Sequence, residues 1–442
     1  MKNNNTDKNN RKSTSQQPKV RFQRAERQQI EWQPFSLDQL ISEDDTARLV
    51  WAYVDGLDLS ALYAQIKAVE GGAGRDPIDP KILLALWLYA TVDGVSSARK
   101  LDRLCQKHFS YLWLRGNVTV NYHTLSDFRV QHGDILDDLL TQSVATLLHQ
   151  GLIELNRVAQ DGMRVRASAG SSSFRRKPTL EESLKEAEEH FEELKQAAAA
   201  DGSAEDRRVT AAKERAARER TERVKAALVE REKLVPKLER RKKGSGEKAR
   251  ASTTDPEARK MKMGDGGFRP AFNVQFATTA ETLVITGVDV NNQGTDGSLI
   301  GPMYDQLGER YGVLPKDYLA DCGFVQLDDV TKLESAGTKV YMPVKDAEKK
   351  IEKGDDPYAP KKGDSDEVQQ WRERMGTDEA KEIYKQRTAT AEFPNAGCRN
   401  RGLQQFNVRG LVKVKAVALL QAVAHNFQRT INLRKLNGLA LV

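Results

Sequence analysis

The 442-residue sequence contains only three cysteines, Cys105, Cys322 and Cys398, and they lie far apart. That spacing builds neither a disulfide framework nor a thiolate zinc site. Long apolar runs are also missing, and none approaches the roughly 18–20 residues that a membrane-spanning helix needs. The first thirty residues lack the apolar stretch of a secretory signal. These absences predict a soluble, cytoplasmic chain with no membrane partner. Acid is missing from one region in particular. From residue 393 to the end there is no Asp or Glu, against eight basic residues: Arg399, Arg401, Arg409, Lys413, Lys415, Arg429, Arg434 and Lys435. Finally, Ser171–Ser173 and Tyr384 lack the accompanying clusters of Arg and His used in covalent recombination through serine or tyrosine, which leaves that chemistry poorly supported.

Hydrophobic residues make up 39% of the chain, ample for a core. At roughly 150 residues per domain, the length predicts about three structural units. Residues 1–30 carry eight basic side chains against Asp7 and Glu26 in a stretch rich in Asn, Gln and Ser. We read residues 1–32 as a disordered basic arm. The whole chain sums to only +7, so the middle must be net acidic. Two basic ends around an acidic middle suit a protein that grips a polyanion and handles metal ions between the grips. A disordered tail and an ordinary solvated helix face would give the same counts.

Residues 33–150 read as an all-helical domain. Ala47, Val50, Trp51 and Val54 follow helical spacing. Asp79 and Pro80 start a strongly apolar helix, and Ser96 and Ser97 are placed to cap the next. Segment 122–129 looks like another start, with Thr124 or Ser126 as cap and Arg129 on the surface. The recurring helix-turn-helix rhythm predicts a DNA-binding domain, although bundles serve many other ends. Strands are expected at 157–165, 272–277, 283–290, 318–321 and 338–343, with Asp296 capping a helix between the third and fourth. This is an α/β arrangement on a mixed sheet. Between residues 178 and 250, Glu, Lys, Arg and Ala dominate around a sparse apolar stripe. Two long charged helices with a break at 197–202 are expected there, inserted between the first and second strands.

Two acids stand out of ordinary surface context. Asp161 sits mid-strand, where Asp is normally depleted, and shares one face with Ala159, Met163 and Val165. Asp321 ends an apolar strand, and Gly323 lets the backbone turn away behind it. Phosphodiester chemistry uses two Mg²⁺ ions held by carboxylates from different parts of a fold, because Mg²⁺ takes hard oxygen ligands. A strand-terminal Asp that only caps a turn is the plainer alternative. His425, among Ala and Leu, reads as a buried, satisfied histidine. Asp289 reads as structural.

The set Asp161, Gly162, Arg164 and Val165, the Asp321, Gly323 and Phe324 turn, and Tyr384, Arg387 and Glu392 together resemble the three signatures of bacterial insertion-sequence DDE transposases. Downstream, Arg399, Asn400, Arg401, Gly402 and Leu403, then Phe406, Val408, Arg409, Gly410, Leu411 and Ala424, His425, Asn426, resemble the C-terminal part of one group of them. The resemblance runs from about residue 33 to 433. It implies a ribonuclease-H-like catalytic domain (151–177 and 251–442) preceded by the helical domain and interrupted by the charged helical insertion at 178–250. It also implies two Mg²⁺ or Mn²⁺ ions held by Asp161, Asp321 and Glu392 as the acidic triad. The interval from Arg387 to Glu392 is one residue longer than is usual in the family, and Arg399 stands where lysine is common. Glu382 is therefore the alternative third acid. Pro394 favours Glu392, because proline suits a first helical turn and would put Glu392 beside a helix start.

Tyr384 and Arg387 are one turn apart and are expected to meet DNA together. Arg399 and Arg401 are expected on phosphates, and Arg409 and Arg129 are expected to bind DNA. The implied activity is transposition: binding terminal inverted repeats, freeing 3′-hydroxyls by hydrolysis and directing them at target DNA, as a homodimer or larger assembly on the nucleoid. A structure-specific nuclease on the same scaffold and an inactive DNA-binding remnant of a mobile element stay open beside it. Pre-cleaved ends separate the first, since only a transposase inserts them; loss of metal binding with normal DNA affinity marks the second.

Overall fold

The computed structural model describes Gln28 and residues 36–68, 76–198 and 204–441. Apart from Gln28, the basic arm expected over 1–32 lies outside these residues, as does most of the break expected at 197–202. No described helix is long and apolar enough to cross a membrane.

Helices come first. α1 (Thr46–Asp55) starts at Asp45, whose carboxylate accepts from the Ala47 amide, and α2 (Ser60–Tyr63) is a single turn. α3 (Pro80–Val92) is capped by Asp79 with Pro80 at its first position, as the sequence predicts. Leu83, Leu84, Leu86, Trp87 and Leu88 are all buried, so α3 lies inside the bundle rather than on it. α4 (Ala98–Lys107), capped by Ser97, α5 (Phe109–Arg115), α6 (Tyr122–Gln131) and α7 (Gly133–His149) follow. The cap of α6 is Asn121, which accepts from the His123 and Thr124 amides at 3.0 Å. Thr124 and Ser126, expected to cap, are already inside the helix.

The chain then enters the sheet at β1 (Arg157–Arg166) and makes the short β2 (Phe174–Arg175). The charged insertion forms α8 (Lys177–Ala198) and α9 (Ala204–Arg241), which pack on each other between the first and second main strands, as expected. β3 (Ala251–Ser252) pairs with β2 and closes the base of the insertion. β4 (Arg259–Lys262), β5 (Phe268–Thr279) and β6 (Ile285–Asn291) are followed by α10 (Ile300–Tyr311) and β7 (Asp317–Leu319). α11 (Leu327–Ser335), β8 (Lys339–Tyr341), α12 (Ala347–Ile351), α13 (Asp366–Gly376), α14 (Asp378–Asn400) and α15 (Leu411–Leu436) complete the fold.

The five expected strands correspond to β1, β5, β6, β7 and β8, and β4 is an addition that pairs with the first half of β5. The sheet is mixed. β1 lies at its centre, antiparallel to β5 and parallel to β7; β7 is parallel to β8, and β5 is antiparallel to β6. α15 packs against α3, α6 and α7 and also against β6. Asn426 fixes it to the sheet through both ends of its amide, accepting from Ile285 N at 2.9 Å and donating to Ile285 O at 2.7 Å. The buried side chains of α1, α3 to α7, β5, β6 and α15 form one continuous apolar core, so the helical first third shares its interior with the C-terminal helix. A second core joins β7, β8, α10, α11 and α13.

Candidate active site

The register of two parallel strands brings the two singled-out acids together. Ala159 of β1 pairs with Leu319 of β7. Two residues further along each chain stand Asp161 and Asp321, an even step that keeps both on the face of that pair. Asp321 does cap a turn, since its Oδ1 accepts from Gly323 N at 2.7 Å. Its other oxygen, however, faces Arg387 of α14. The Arg387 Nη2 donates to Asp161 Oδ1 at 2.9 Å and to Asp321 Oδ2 at 3.5 Å, so one cation sits between the two carboxylates. Burial pushes the Asp161 carboxyl above its ordinary value; Arg387 and the Gly162 amide oppose that rise, while Asp321 and Asp296 add to it. Tyr384, one turn before Arg387 and half-buried, has its phenol pushed up by burial and senses the charges of Arg387, Asp321 and Asp161. Asp161, Asp321, Tyr384 and Arg387 thus share one site.

The opposite face of β1 explains the glycine and arginine next to Asp161. A Cβ on Gly162 would stand 2.3 Å from Gln275 Nε2, 2.5 Å from Asp296 Oδ1 and 2.8 Å from Asn273 Oδ1. Those groups form a polar layer beneath the strand. Asp296 accepts from Asn273 at 2.8 Å, Gln275 at 2.9 Å and Arg164 at 2.8 Å, and Gln160 joins Gln275 to the Tyr318 hydroxyl. Asp296 was expected to cap a helix, but α10 begins four residues later and the carboxylate turns to the sheet instead. With every partner satisfied, this layer holds the strand that carries Asp161.

Glu392 is not drawn into the pair. It is exposed, its side chain makes no hydrogen bond or ion pair among the described residues, and it lies about 140° around α14 from Arg387 at 3.6 residues per turn. Among the described residues no three His, Cys, Asp or Glu side chains come together as a metal cage. The expected helix start beside Glu392 is absent: α14 runs unbroken from 378 to 400 with Pro394 in its interior. Glu382 is exposed too and is paired with Lys385. The α14 residue that does reach Asp161 besides Arg387 is Asn395, whose Nδ2 donates to Asp161 Oδ2 at 3.0 Å. Sequence reasoning passed it over, although its spacing from Arg387 and Ala391 puts it on the inward face.

Two arginines expected on DNA are turned inward. Arg129 is buried, lies 4.5 Å over the Trp87 ring and donates to Ser96 O, and burial lowers its pKa to about 10. A residue on α6 that packs against α3 does not project from the surface. Arg401 donates to Gln428 at 2.9 Å and lies 3.3 Å from His425 Nδ1, which fastens the end of α14 to α15. Arg399 is exposed, and Arg409 is exposed with its Nε on Ser168 O at 3.3 Å. His425 is buried as read from the sequence, with its Nε2 2.7 Å from Leu283 O and its pKa lowered to about 4 by burial.

The donor set at the pair is all hard oxygen, and a positive charge already lies between its two acids. Asn395 Oδ1 beside them is a buried acceptor with no partner among the described residues. Such a set fits a divalent cation of the Mg²⁺ type. Comparison with known families gives two matches in order along the chain. Residues 35–131 match a family described as Transposase domain (DUF772), and residues 239–427 match the Transposase DDE domain. The second match contains Asp321, Arg387 and Glu392 and begins within α9, beyond Asp161. No curated protein and no solved structure matches the chain. An acid pair aligned by parallel strands, followed by a helix bearing Tyr384 and Arg387, is framed by both matched regions, and the chain belongs to the insertion-sequence DDE transposases, enzymes that cleave DNA and transfer its strands.

Proposed function

We propose that the protein binds the terminal inverted repeats of its element, hydrolyses a phosphodiester bond at each end to free a 3′-hydroxyl, and joins that hydroxyl to target DNA. The observation that carries this reading is the side-by-side placement of Asp161 and Asp321 with Arg387 between them. Strand order supports a ribonuclease-H-like catalytic part: three antiparallel strands, β6, β5 and β1, continued by the parallel β7 and β8. Asp161 and Asp321 would hold Mg²⁺ or Mn²⁺, with Glu392 as the third acid. Two such ions, when bound, activate the attacking oxygen and stabilise the leaving one. Nucleophile and leaving group are both oxygens at phosphorus, so the chain needs no covalent intermediate of its own.

In this reading Arg387 neutralises the acid pair of the free protein and, with Tyr384, meets the DNA backbone at the site. Exposed Arg399 and Arg409 position the strand through its phosphates. The assembly that brings two ends together is a dimer or larger, acting in the cytoplasm on the nucleoid. Strand cleavage and insertion of pre-cut ends, measured with Mg²⁺ or Mn²⁺ on the element's own termini, test the proposal. Wild type should do both and Asp161→Asn neither; undiminished activity in the mutant sinks the assignment. Cutting without insertion would leave a nuclease.

A further inference from the structure

We propose that Asn395 is a positioning residue that fixes the Asp161 carboxylate for cation binding; this rests on the reading that Asp161 holds a divalent ion. Asp161 is grasped at both oxygens from one helix. Arg387 takes Oδ1 and Asn395, two turns further along α14, takes Oδ2. A carboxylate only accepts hydrogen bonds, so the Asn395 amide must turn its Nδ2 toward Asp161. Asn395 is 5% exposed, and turning that way leaves Oδ1 buried with no partner among the described residues.

That cost is informative. A buried amide can have both ends satisfied, as Asn426 has on the backbone of Ile285; Gln421, like Asn395, has a buried unpartnered oxygen, but its donor goes to the Arg401 carbonyl and not to a charged group. Asn395 gives up half its hydrogen bonding to hold Asp161, and an apolar side chain there would leave Asp161 Oδ2 without its donor. Glu392, three residues earlier on the same helix, points to solvent, so α14 presents Asn395 rather than an acid to Asp161. Side chains that orient a metal-binding carboxylate are worth about 10- to 100-fold in metal affinity when removed.

The test is titration of the full chain with Mn²⁺ alone, followed by calorimetry and by the Mn²⁺ paramagnetic resonance signal, with Tm measured alongside. Asn395→Leu keeps the shape and removes the donor, and Asn395→Ala serves if the first variant does not fold. The expected result is Mn²⁺ binding weakened about 10- to 100-fold in a chain that still unfolds cooperatively. A fall in Tm with Mn²⁺ affinity unchanged marks a purely structural asparagine and overturns the inference. Asp161→Asn separates the two levels. If it abolishes Mn²⁺ binding while the Asn395 variants leave it intact, only the inference fails. If wild type binds no Mn²⁺, or Asp161→Asn binds as wild type does, the metal reading fails and takes the inference with it.

Discussion

Two pairs of neighbouring acids in this protein, each with one largely buried member, are held in opposite ways. Asp255 and Glu257 sit at the start of α15, where Asp255 Oδ1 accepts from Gly410 N at 3.3 Å and Glu257 accepts from Leu411 N at 2.8 Å. Their partners are amides that the first turn of any helix leaves open, and the helix dipole favours negative charge there. Asp161 and Asp321 instead face side chains, Arg387 and Asn395, on a helix that crosses the sheet. Burial raises both Asp161 and Asp255, Asp255 to about 6. A raised pKa therefore does not separate a site from a cap. The partners do: a backbone amide cannot leave, whereas a guanidinium can swing away and give its place to another cation.

The largest expected contrast is in activity. Asp161→Asn should lower metal-dependent strand cleavage by more than about 100-fold, beyond the usual cost of an outer-shell partner, while Asp255→Asn leaves it near wild type. Gel assays on end-bearing duplexes check both, and similar losses in the two variants would erase the distinction. Next, Glu392→Gln should cost activity comparably and Glu382→Gln nothing, since Glu382 is engaged with Lys385 at the surface; the reverse outcome would make Glu382 the third acid. Gly162→Ala forces a methyl group into the Gln275, Asp296 and Asn273 layer, and should destabilise the fold by about 1–3 kcal/mol in denaturant unfolding. The smallest effect belongs to the cap pair. The folded state holds the Asp255 proton more tightly than the unfolded chain does, so this group's contribution to stability declines as pH rises from about 4 to about 6. Asp255→Asn cannot ionise, and should gain about 1–2 kcal/mol over wild type above pH 6 and nothing near pH 4. Thermal unfolding across that range checks it.

Much of this was legible in the sequence, for identifiable reasons. Apolar runs and period-two alternation located β1, β5, β6, β7 and β8, and an Asp inside such a run drew attention to Asp161. The charged composition of 178–250 announced α8 and α9. Asp79 with Pro80 announced α3. What sequence hid was direction. Arg129 and Arg401 carry charge and were read as surface, yet an aromatic face and a neighbouring helix absorb them. Pro394 was read as a helix start, but packing carries α14 straight through it. Asp296 looked like a cap because a helix followed, and only the pairing of β1 with β5 shows Gln275 and Asn273 waiting for it. Asn395 carries no charge and belongs to none of the signatures, so nothing short of the helix's inward face reveals it.

The most direct measurement is anomalous scattering from crystals soaked in Mn²⁺. A peak is expected between Asp161 and Asp321, with the Arg387 guanidinium displaced and Asn395 still on Asp161. A peak beside Asp255 and Glu257, or an acid pair that keeps Arg387 and binds nothing, would contradict it.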